Sequence, residues 1–282
     1  MRLPGPDYPA PAKLNLFLHV VGRRADGYHL LQTVFTLIDY CDRIRLRVRD
    51  DGEVMRVNDL PGVPAEQDLT VRAARLLQEA SGTAKGADIE LEKVIPMGGG
   101  LGGGSSDAAT VLMGLDRLWN TGFGPEALAE LAVALGADVP FFLHGGAAWG
   151  QGVGDELRPI ELPPRWYVVL VPSTGVPTKE IFAAPELTRN TEALKMEDFS
   201  AQPPVQAFRN DLERVVIARY PEVGRCLDWL KAHGEARMTG SGGCVFAAYE
   251  SREAAQAVLD RVSAPMKGFV AQGLARHPLR ME

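Results

Sequence analysis

Hydrophobic and polar residues alternate along several early stretches of the chain, as is typical of strands with one buried face. The stretch from Lys13 to Val21 predicts such a strand. Leu14, Leu16, Leu18 and Val20 are expected on one face, and Lys13, Asn15, Phe17 and His19 on the other. A second strand is predicted from the turn at Tyr28 and His29 through Leu37. A third, from Asp42 to Arg49, carries a row of arginines that we expect on a solvated outer face.

The helical spacing of apolar residues predicts a helix over Leu69 to Ala80, another after residue 105 and one opened by Pro125. The apolar run from Trp166 to Val171 predicts a central strand. The last third is predicted as helices 211–219, 222–232 and 251–261 with strands 236–239, 244–249 and 268–274. This mixture indicates an α+β fold. A glycine-rich stretch near residues 150–160 predicts two domains, 1–155 and 156–282.

One stretch combines many glycines with the start of a helix: Pro96-Met97-Gly98-Gly99-Gly100-Leu101-Gly102-Gly103-Gly104-Ser105-Ser106-Asp107. Glycine lets backbone N–H groups approach a charged ligand, and a helix N-terminus favours anions. Ser105, Ser106 and Asp107 are candidate helix caps. The stretch therefore predicts a nucleotide-phosphate site. The alternative is a flexible linker or a loop that packs a helix tightly on a strand.

Two familiar phosphate motifs do not fit this stretch. The preceding residues alternate, whereas the strand before a dinucleotide-binding loop is a continuous apolar run. No Gly-Lys-Ser/Thr ends the run, as a P-loop requires. A lysine from elsewhere in the chain and Mg²⁺ are therefore expected to neutralise the phosphates.

Two separated residues are candidates for chemistry at such a site. Lys13 projects beside Asn15 from the first predicted strand, and Asp138 precedes the apolar Val139-Pro140-Phe141-Phe142. Asp138 is expected in dry surroundings, where a nearby lysine would keep it ionised. For Lys13 and Asn15 the alternative is two solvated polar residues on an edge strand. For Asp138 the alternative is a helix cap or a turn former.

Composition narrows the class of protein. The chain has 282 residues, 46% hydrophobic and 23% charged, which is ordinary for a globular protein. A net charge of −6 is opposite to the basic footprint of a nucleic-acid binder. No apolar run approaches the ~20 residues that span a bilayer, so no membrane partner is expected. Three cysteines without a CxxC pair, and no visible secretory signal, indicate the reducing cytoplasm.

Three motifs together resemble the GHMP family of small-molecule kinases. They are Pro11-Ala12-Lys13-Leu14-Asn15-Leu16, the run Pro96–Ala109, and Arg237-Met238-Thr239-Gly240-Ser241-Gly242-Gly243-Cys244-Val245-Phe246. Three more resemble one branch of that family: Arg24-Ala25-Asp26-Gly27-Tyr28-His29, Leu135-Gly136-Ala137-Asp138-Val139-Pro140 and Asn210-Asp211-Leu212-Glu213. All six occur in the family's order, and the likeness extends from about residue 10 to the C-terminus.

The resemblance implies a fold and an activity. The fold would have an N-terminal domain like ribosomal protein S5 domain 2 and a ferredoxin-like C-terminal domain. The activity would be ATP-dependent, with Mg²⁺. It would phosphorylate the 2-hydroxyl of a methylerythritol unit in a small molecule bearing a cytidine diphosphate, on the non-mevalonate route to isoprenoid precursors. The sequence leaves open whether the protein is a monomer or a homodimer.

The resemblance also implies roles for individual residues. Lys13 and Asp138 would form the catalytic pair, and Pro96 to Ser106 would surround the ATP phosphates. Asn15, Tyr28, His29 and Phe182 would contact the substrate, with the cytosine between aromatic rings. The metal ligands stay open, with Ser105 or Ser106 as candidates.

One departure and three rivals qualify this interpretation. Asp68 stands where family members usually carry Asn, on the expected nucleotide side. The rivals are a GHMP kinase for homoserine or mevalonate, a catalytically silent nucleotide sensor, and an RNA-binding module. The second glycine loop, Thr239 to Gly243, is either a tight hairpin or a ligand contact.

Overall fold

The computed structural model describes residues 3–200 and 208–280, which form ten strands and nine α-helices. The strands are β1 (Tyr8–Arg23), β2 (His29–Arg49), β3 (Val54–Arg56), β4 (Gly86–Glu92), β5 (Ala148–Gln151), β6 (Glu156–Pro159), β7 (Trp166–Leu170), β8 (Ala236–Met238), β9 (Val245–Tyr249) and β10 (Gly268–Leu274). The helices are α1 (Leu69–Ser81), α2 (Gly103–Trp119), α3 (Gly124–Ala132), α4 (Val139–His144), α5 (Thr178–Ala183), α6 (Met196–Ser200), α7 (Glu213–Arg219), α8 (Pro221–Lys231) and α9 (Arg252–Leu259). The predicted α+β class and the predicted elements of the last third are confirmed.

The long strand β2 organises the sheet. Strand β1 pairs antiparallel with one edge of β2, from His29 to Ile44 of β2. Along the other edge, β2 pairs in turn with β5, with β10 and with β4. Strand β10 also pairs with β7, and the sheet continues through β9 to β8. The N-terminal and C-terminal strands are therefore continuous through the β2–β10 contact.

Three apolar clusters place the glycine-rich stretch. One lies between the N-terminal strands and helices α1 to α4, and a second lies between β7–β9 and helices α5 and α7–α9. A third joins the two halves. It includes Ile95 just before the glycine stretch, Leu101 within it, Leu14 from β1, and Val169 and Phe246 from the C-terminal strands. The glycine-rich loop is thus fixed at the junction of the two halves.

Helix α2 begins earlier than the candidate caps predict. Its N-cap is Gly102, with φ of +72° and no side-chain capping bond. Ser105, Ser106 and Asp107 lie inside the first turns, so the prediction that they cap the helix is wrong. Buried Ser106 and Asp107 bond to other elements instead, to the Pro11 carbonyl and to the Lys93 ammonium respectively.

A β-bulge changes the predicted faces of β1. The register with β2 shifts between Asn15 and Phe17, so Leu16 is the extra residue. Lys13, Asn15 and Leu18 consequently line one cavity, while Phe17 packs in an apolar cluster with Trp149. The prediction that Phe17 shares a face with Lys13 and Asn15 is wrong, because one inserted residue reverses the alternation.

The arginine row on β2 is not a uniformly solvated face. Arg45 is 2% exposed and forms ion pairs with Asp7, Glu90 and Glu92. That part of the prediction is wrong, because carboxylates on β4 and near the N-terminus cover the guanidinium. A buried charge needs such partners.

Strand β4 ends at Glu92, three residues before Ile95. The N–H groups of Val94 and Ile95 donate to the carboxylate of Asp42 in place of a strand partner. Asp42 thereby ends the strand and turns the chain into the glycine-rich loop.

Within residues 3–200 and 208–280, no helix has both the length and the apolar character needed to cross a bilayer. Cys41, Cys226 and Cys244 are free thiols. Burial raises the pKa of Cys244 to about 12, as expected for a small core residue rather than a nucleophile.

Candidate active site

A cavity of about 480 Å³ lies between the glycine-rich loop, strand β1 and the second glycine loop. Pro96 to Ser105 line it continuously, and Lys13, Asn15, Asp138 and Phe182 also face it. Ser106 does not line the cavity, since its hydroxyl donates to the Pro11 carbonyl at 2.6 Å. The structure therefore brings together most of the residues that the sequence singled out.

The carbonyl groups of the glycine-rich loop are bonded to the protein around it. The Gly99 carbonyl accepts from the N–H of Cys244 at 3.0 Å, and the Leu101 carbonyl accepts from the N–H of Lys13 at 2.9 Å. The Gly98 and Gly100 carbonyls accept longer bonds of 3.4 and 3.5 Å from the C-terminal half. With its acceptors occupied, the loop can present N–H groups to the cavity, next to the unpaired first-turn N–H groups of α2.

Two glycines in this loop are required by the space around them. Gly100 has φ of +76°, and a Cβ there would lie 2.3 Å from the Thr239 carbonyl oxygen. Gly102 has φ of +72°, and its Cβ would lie 2.9 Å from the Phe142 ring. Any larger residue would push the loop away from the second glycine loop or from Lys13.

Lys13 and Asp138 form an ion pair in the middle of the lining. The Lys13 ammonium lies 3.4 Å from Asp138 Oδ2, and the two side chains are 4% and 36% exposed. The Asp138 side chain makes no capping bond to α4, so the helix-cap alternative does not describe it. The expectation of dry surroundings is wrong, because more than a third of the Asp138 side chain is exposed.

Asn15 continues this polar row along β1. Its Oδ1 accepts from the Lys13 ammonium, and its Nδ2 donates to Thr33 Oγ1 at 2.9 Å. The main-chain N–H of Asn15 donates to Thr239 Oγ1 at 2.9 Å. Asn15 thus aims the lysine while it lines the cavity, and it is not a solvated edge-strand residue.

A second lysine, Lys93, lies at the base of the glycine-rich loop. Its ammonium pairs with Asp42 and, at 2.8 Å, with Asp107 on α2. Burial opposes the charge on Lys93, but the two carboxylates outweigh it and raise its pKa. Burial raises the pKa of Asp107 well above its ordinary value. These three residues tie both ends of the loop together, and no sequence pattern marked Lys93 or its ion pairs.

The second glycine loop connects β8 to β9 and also faces the cavity. Gly240 and Ser241 line the cavity, and Ser241 Oγ is 2.6 Å from Thr178 Oγ1 at the start of α5. Gly240 has φ of +56° and packs against Gly100. The hairpin alternative is confirmed, because the loop is the turn between β8 and β9, and a contact with a ligand stays a prediction.

Of the aromatic residues predicted at the substrate, Phe182 lines the cavity, whereas Tyr28 and His29 do not. Phe182 is on α5, and the His29 ring lies 5.1 Å from the Phe182 ring, centroid to centroid. The two rings contact each other directly. Tyr28 is 65% exposed beside them in the chain. Arg189, which no sequence pattern marked, donates to His29 Nε2 at 3.0 Å.

Asp68 is satisfied within its own neighbourhood. One oxygen accepts from the N–H and the hydroxyl of Thr70, which caps α1, and the other pairs with Arg56. The neighbouring Leu69, rather than Asp68, lines the cavity. Where the family usually has Asn, the negative charge of Asp68 is thus neutralised by Arg56.

Comparison with known proteins agrees with this arrangement. Residues 68–146 match the model of the GHMP kinases N terminal domain, and residues 190–268 match the GHMP kinases C terminal model. A curated 4-diphosphocytidyl-2-C-methyl-D-erythritol kinase from Thiobacillus denitrificans is 60% identical over 272 residues, 96% of each chain. One from Aromatoleum aromaticum is 57% identical over 274 residues, covering 97% of this chain and 95% of that protein.

Two solved structures also superpose on nearly the whole chain. A crystal structure of 4-(cytidine 5'-diphospho)-2C-methyl-D-erythritol kinase superposes with a TM-score of 0.82 at 35% identity, over 95% of this chain and 99% of the other. The mevalonate kinase of Methanococcus jannaschii superposes with a TM-score of 0.71 over 97% of this chain and 100% of the other. At 15% identity, the second likeness concerns the fold alone.

Proposed function

The chain belongs to the GHMP kinase family, and from that premise we propose that it phosphorylates the 2-hydroxyl of 4-diphosphocytidyl-2-C-methyl-D-erythritol with ATP, in the non-mevalonate route to isoprenoid precursors. The relatives that carry this activity in their names match nearly the whole chain. The structural observation that supports the proposal most directly is the Lys13–Asp138 pair, 3.4 Å apart in the cavity lined by the glycine-rich loop.

Phosphoryl transfer depends mainly on positioning and charge neutralisation. The loop N–H groups and the N-terminus of α2 hold the β- and γ-phosphates of ATP. The acceptor hydroxyl oxygen forms a bond to the γ-phosphorus while the bond from that phosphorus to the bridging oxygen breaks, and ADP leaves. Asp138 takes the proton of the hydroxyl, and the Lys13 ammonium stabilises negative charge between the acceptor oxygen and the transferred phosphoryl group.

Mg²⁺ belongs to this proposal as a companion of ATP. Among residues 3–200 and 208–280, no three His, Cys, Asp or Glu side chains are grouped to hold a metal. Mg²⁺ does not require such a group, because it is usually held by one or two protein oxygens together with substrate phosphates and water. The Ser105 hydroxyl, which lines the cavity, is the group that would hold it. Bound there, Mg²⁺ would neutralise phosphate charge.

The aromatic part of the cavity favours an acceptor with a flat base. Phe182 on the cavity wall, with the His29 ring packed against it, offers a flat surface for a base, and homoserine and mevalonate contain no base. A silent sensor has no need of the Lys13–Asp138 pair. The proposal also places the enzyme in the cytoplasm, since its three cysteines are free thiols, and leaves monomer and homodimer open.

The test is incubation of the protein with γ-labelled ATP, Mg²⁺ and a panel of alcohols with and without a cytidine diphosphate group. Label should move only to 4-diphosphocytidyl-2-C-methyl-D-erythritol, and CMP should compete with that acceptor. Equal transfer to mevalonate or homoserine would contradict the proposed acceptor. ATP binding without transfer to any acceptor would favour the sensor.

A further inference from the structure

Arg189 lies behind the two aromatic rings predicted to contact the cytosine. Its Nε donates to His29 Nε2 at 3.0 Å. Its terminal nitrogens donate to the Phe182 carbonyl at 3.1 Å, the Ala184 carbonyl at 2.6 Å and the Leu187 carbonyl at 3.0 Å. One guanidinium therefore joins the first residue of β2 to the C-terminal end of α5.

The contact with His29 fixes the protonation of that ring. A guanidinium has only donors, so the His29 Nε2 atom that faces it must carry a lone pair. In a neutral imidazole the proton then resides on Nδ1, and a second proton on Nε2 would point at Arg189. His29 is therefore held as the neutral ring with an Nδ1–H donor.

The charges around His29 act in the same direction. Burial, Arg189 and Arg23 all lower the pKa of His29. Arg189 faces the ring from the segment after α5, and Arg23 faces it from β1, where it is the strand partner of His29. Phe182 on α5 contributes an uncharged ring. No carboxylate in the described residues forms an ion pair with His29.

We propose that Arg189 is a positioning residue for the cytosine of the acceptor, because it fixes His29 in the neutral Nδ1–H form and holds that ring against Phe182. This inference rests on the proposed function. Cytosine carries ring acceptors, N3 and O2, for which a fixed N–H donor is the suitable partner. A His29 ring free to change its proton position, or to take a second proton, would be a donor only part of the time.

The test compares Arg189→Met with Arg189→Lys and with a matched control, Arg219→Met. Arg219 pairs with Glu186 in the same segment and does not line the cavity. Arg189→Met should weaken CMP binding by about tenfold or more and raise KM for the acceptor, with KM for ATP unchanged. Arg189→Lys, which can still donate, should recover part of the loss. Arg219→Met should bind CMP like the wild type.

Two readouts separate this role from simple support of the fold. Nitrogen-15 NMR of the imidazoles, with the His29 signal assigned by His29→Gln, should give a neutral Nδ1–H ring at pH 7 in the wild type. In Arg189→Met the ring should exchange its proton between both nitrogens and titrate nearer 6.5. CMP affinity should then become pH-dependent between pH 5.5 and 7.5 in that variant only.

The inference fails if folded Arg189→Met keeps both the wild-type affinity for CMP and the Nδ1–H ring. It also fails if Arg219→Met weakens CMP binding equally, because the effect would then belong to the segment. Failure of the proposed function looks different, since the wild-type protein itself would neither bind CMP nor transfer phosphate to the cytidine acceptor.

Discussion

The Lys13 ammonium lies 3.4 Å from Asp138 Oδ2, although the two residues are 125 positions apart in the chain. Strand β1 supplies the lysine and the start of α4 supplies the aspartate, and both face the cavity beneath the glycine-rich loop. Lys13 is buried, with its ammonium 5.4 Å from the centroid of the Phe35 ring, whereas Asp138 is partly open to solvent. A buried cation beside a partly exposed acid suits a site where a triphosphate phosphorylates an alcohol.

Replacing Lys13 with Met should lower kcat by about 10²-fold or more. The methionine retains most of the buried stem, and Asp138 is exposed enough to remain solvated, so the protein should stay folded. Steady-state kinetics with a thermal melt would measure both effects. Lys85→Met, at an exposed position away from the cavity, is the control and should keep the wild-type kcat. A Lys13→Met enzyme with wild-type kcat would remove the ammonium from the reaction.

Gly100→Ala should weaken ATP binding by about tenfold or more and lower the free energy of unfolding by about 2–4 kcal/mol. Its Cβ would overlap the Thr239 carbonyl at a φ of +76°. Gly62→Ala is the matched control, since Gly62 has φ of +80° with open space around it. In that variant the free energy of unfolding should fall by only about 1–2 kcal/mol, from the strain of a side chain in the left-handed region, and ATP should bind normally. Equal nucleotide affinity in both variants would show that packing of the two glycine loops does not matter.

Lys93→Met should lower the free energy of unfolding by about 3–5 kcal/mol at pH 7.5, because Asp42 and Asp107 would be left buried without their cation. The pKa of Asp107 is already raised by burial. Without Lys93 the folded protein would bind a proton there more tightly than the unfolded chain does. Its stability would therefore fall as pH rises, and the loss should be smaller at pH 5. Urea titrations at the two pH values would measure it, and a loss that does not depend on pH would contradict this account of the three residues.

His277 makes the folded protein sensitive to acid. It is fully buried, and burial together with Arg280 and Arg117 lowers its pKa to about 3. The unfolded chain takes a proton below about pH 6.5, while the folded protein does not, so stability is lost as pH falls from there toward 3. From pH 7.5 to 5.5 the wild type should lose about 1.4 kcal/mol more than His277→Leu. Denaturant titrations at both pH values test this, and equal losses would show that His277 does not titrate in this way.

Local patterns predicted much of this fold, because the signals are strong where they depend on neighbouring residues. The helix predicted from Leu69 is α1, and the strand predicted at 268–274 is β10. The glycine-rich loop was recognisable since no ordinary linker ends in a buried amphipathic helix. These features can be recognised from the spacing of apolar residues and from the backbone freedom of glycine alone.

The errors arose where distant residues decide the outcome. Arg45 is buried because Asp7 and Glu90 reach it, and no alternation pattern contains that information. The bulge at Leu16 reversed the faces of β1 through pairing with β2. Lys93 and Arg189 were missed for the same reason, since their partners lie 14 to 160 residues away. The one hint of the Lys93 cluster in the sequence was Asp42, a carboxylate at the start of an otherwise basic predicted strand.

The most direct test of the proposed chemistry is single-turnover phosphoryl transfer by Asp138→Asn, followed with labelled ATP and the cytidine acceptor. Asp260→Asn, on an exposed helix end, is the control and should react like the wild type. Asp138→Asn should transfer phosphate ~10²–10⁴-fold more slowly while it binds ATP with unchanged affinity. A transfer rate near that of the wild type would contradict the role of Asp138 as the proton acceptor.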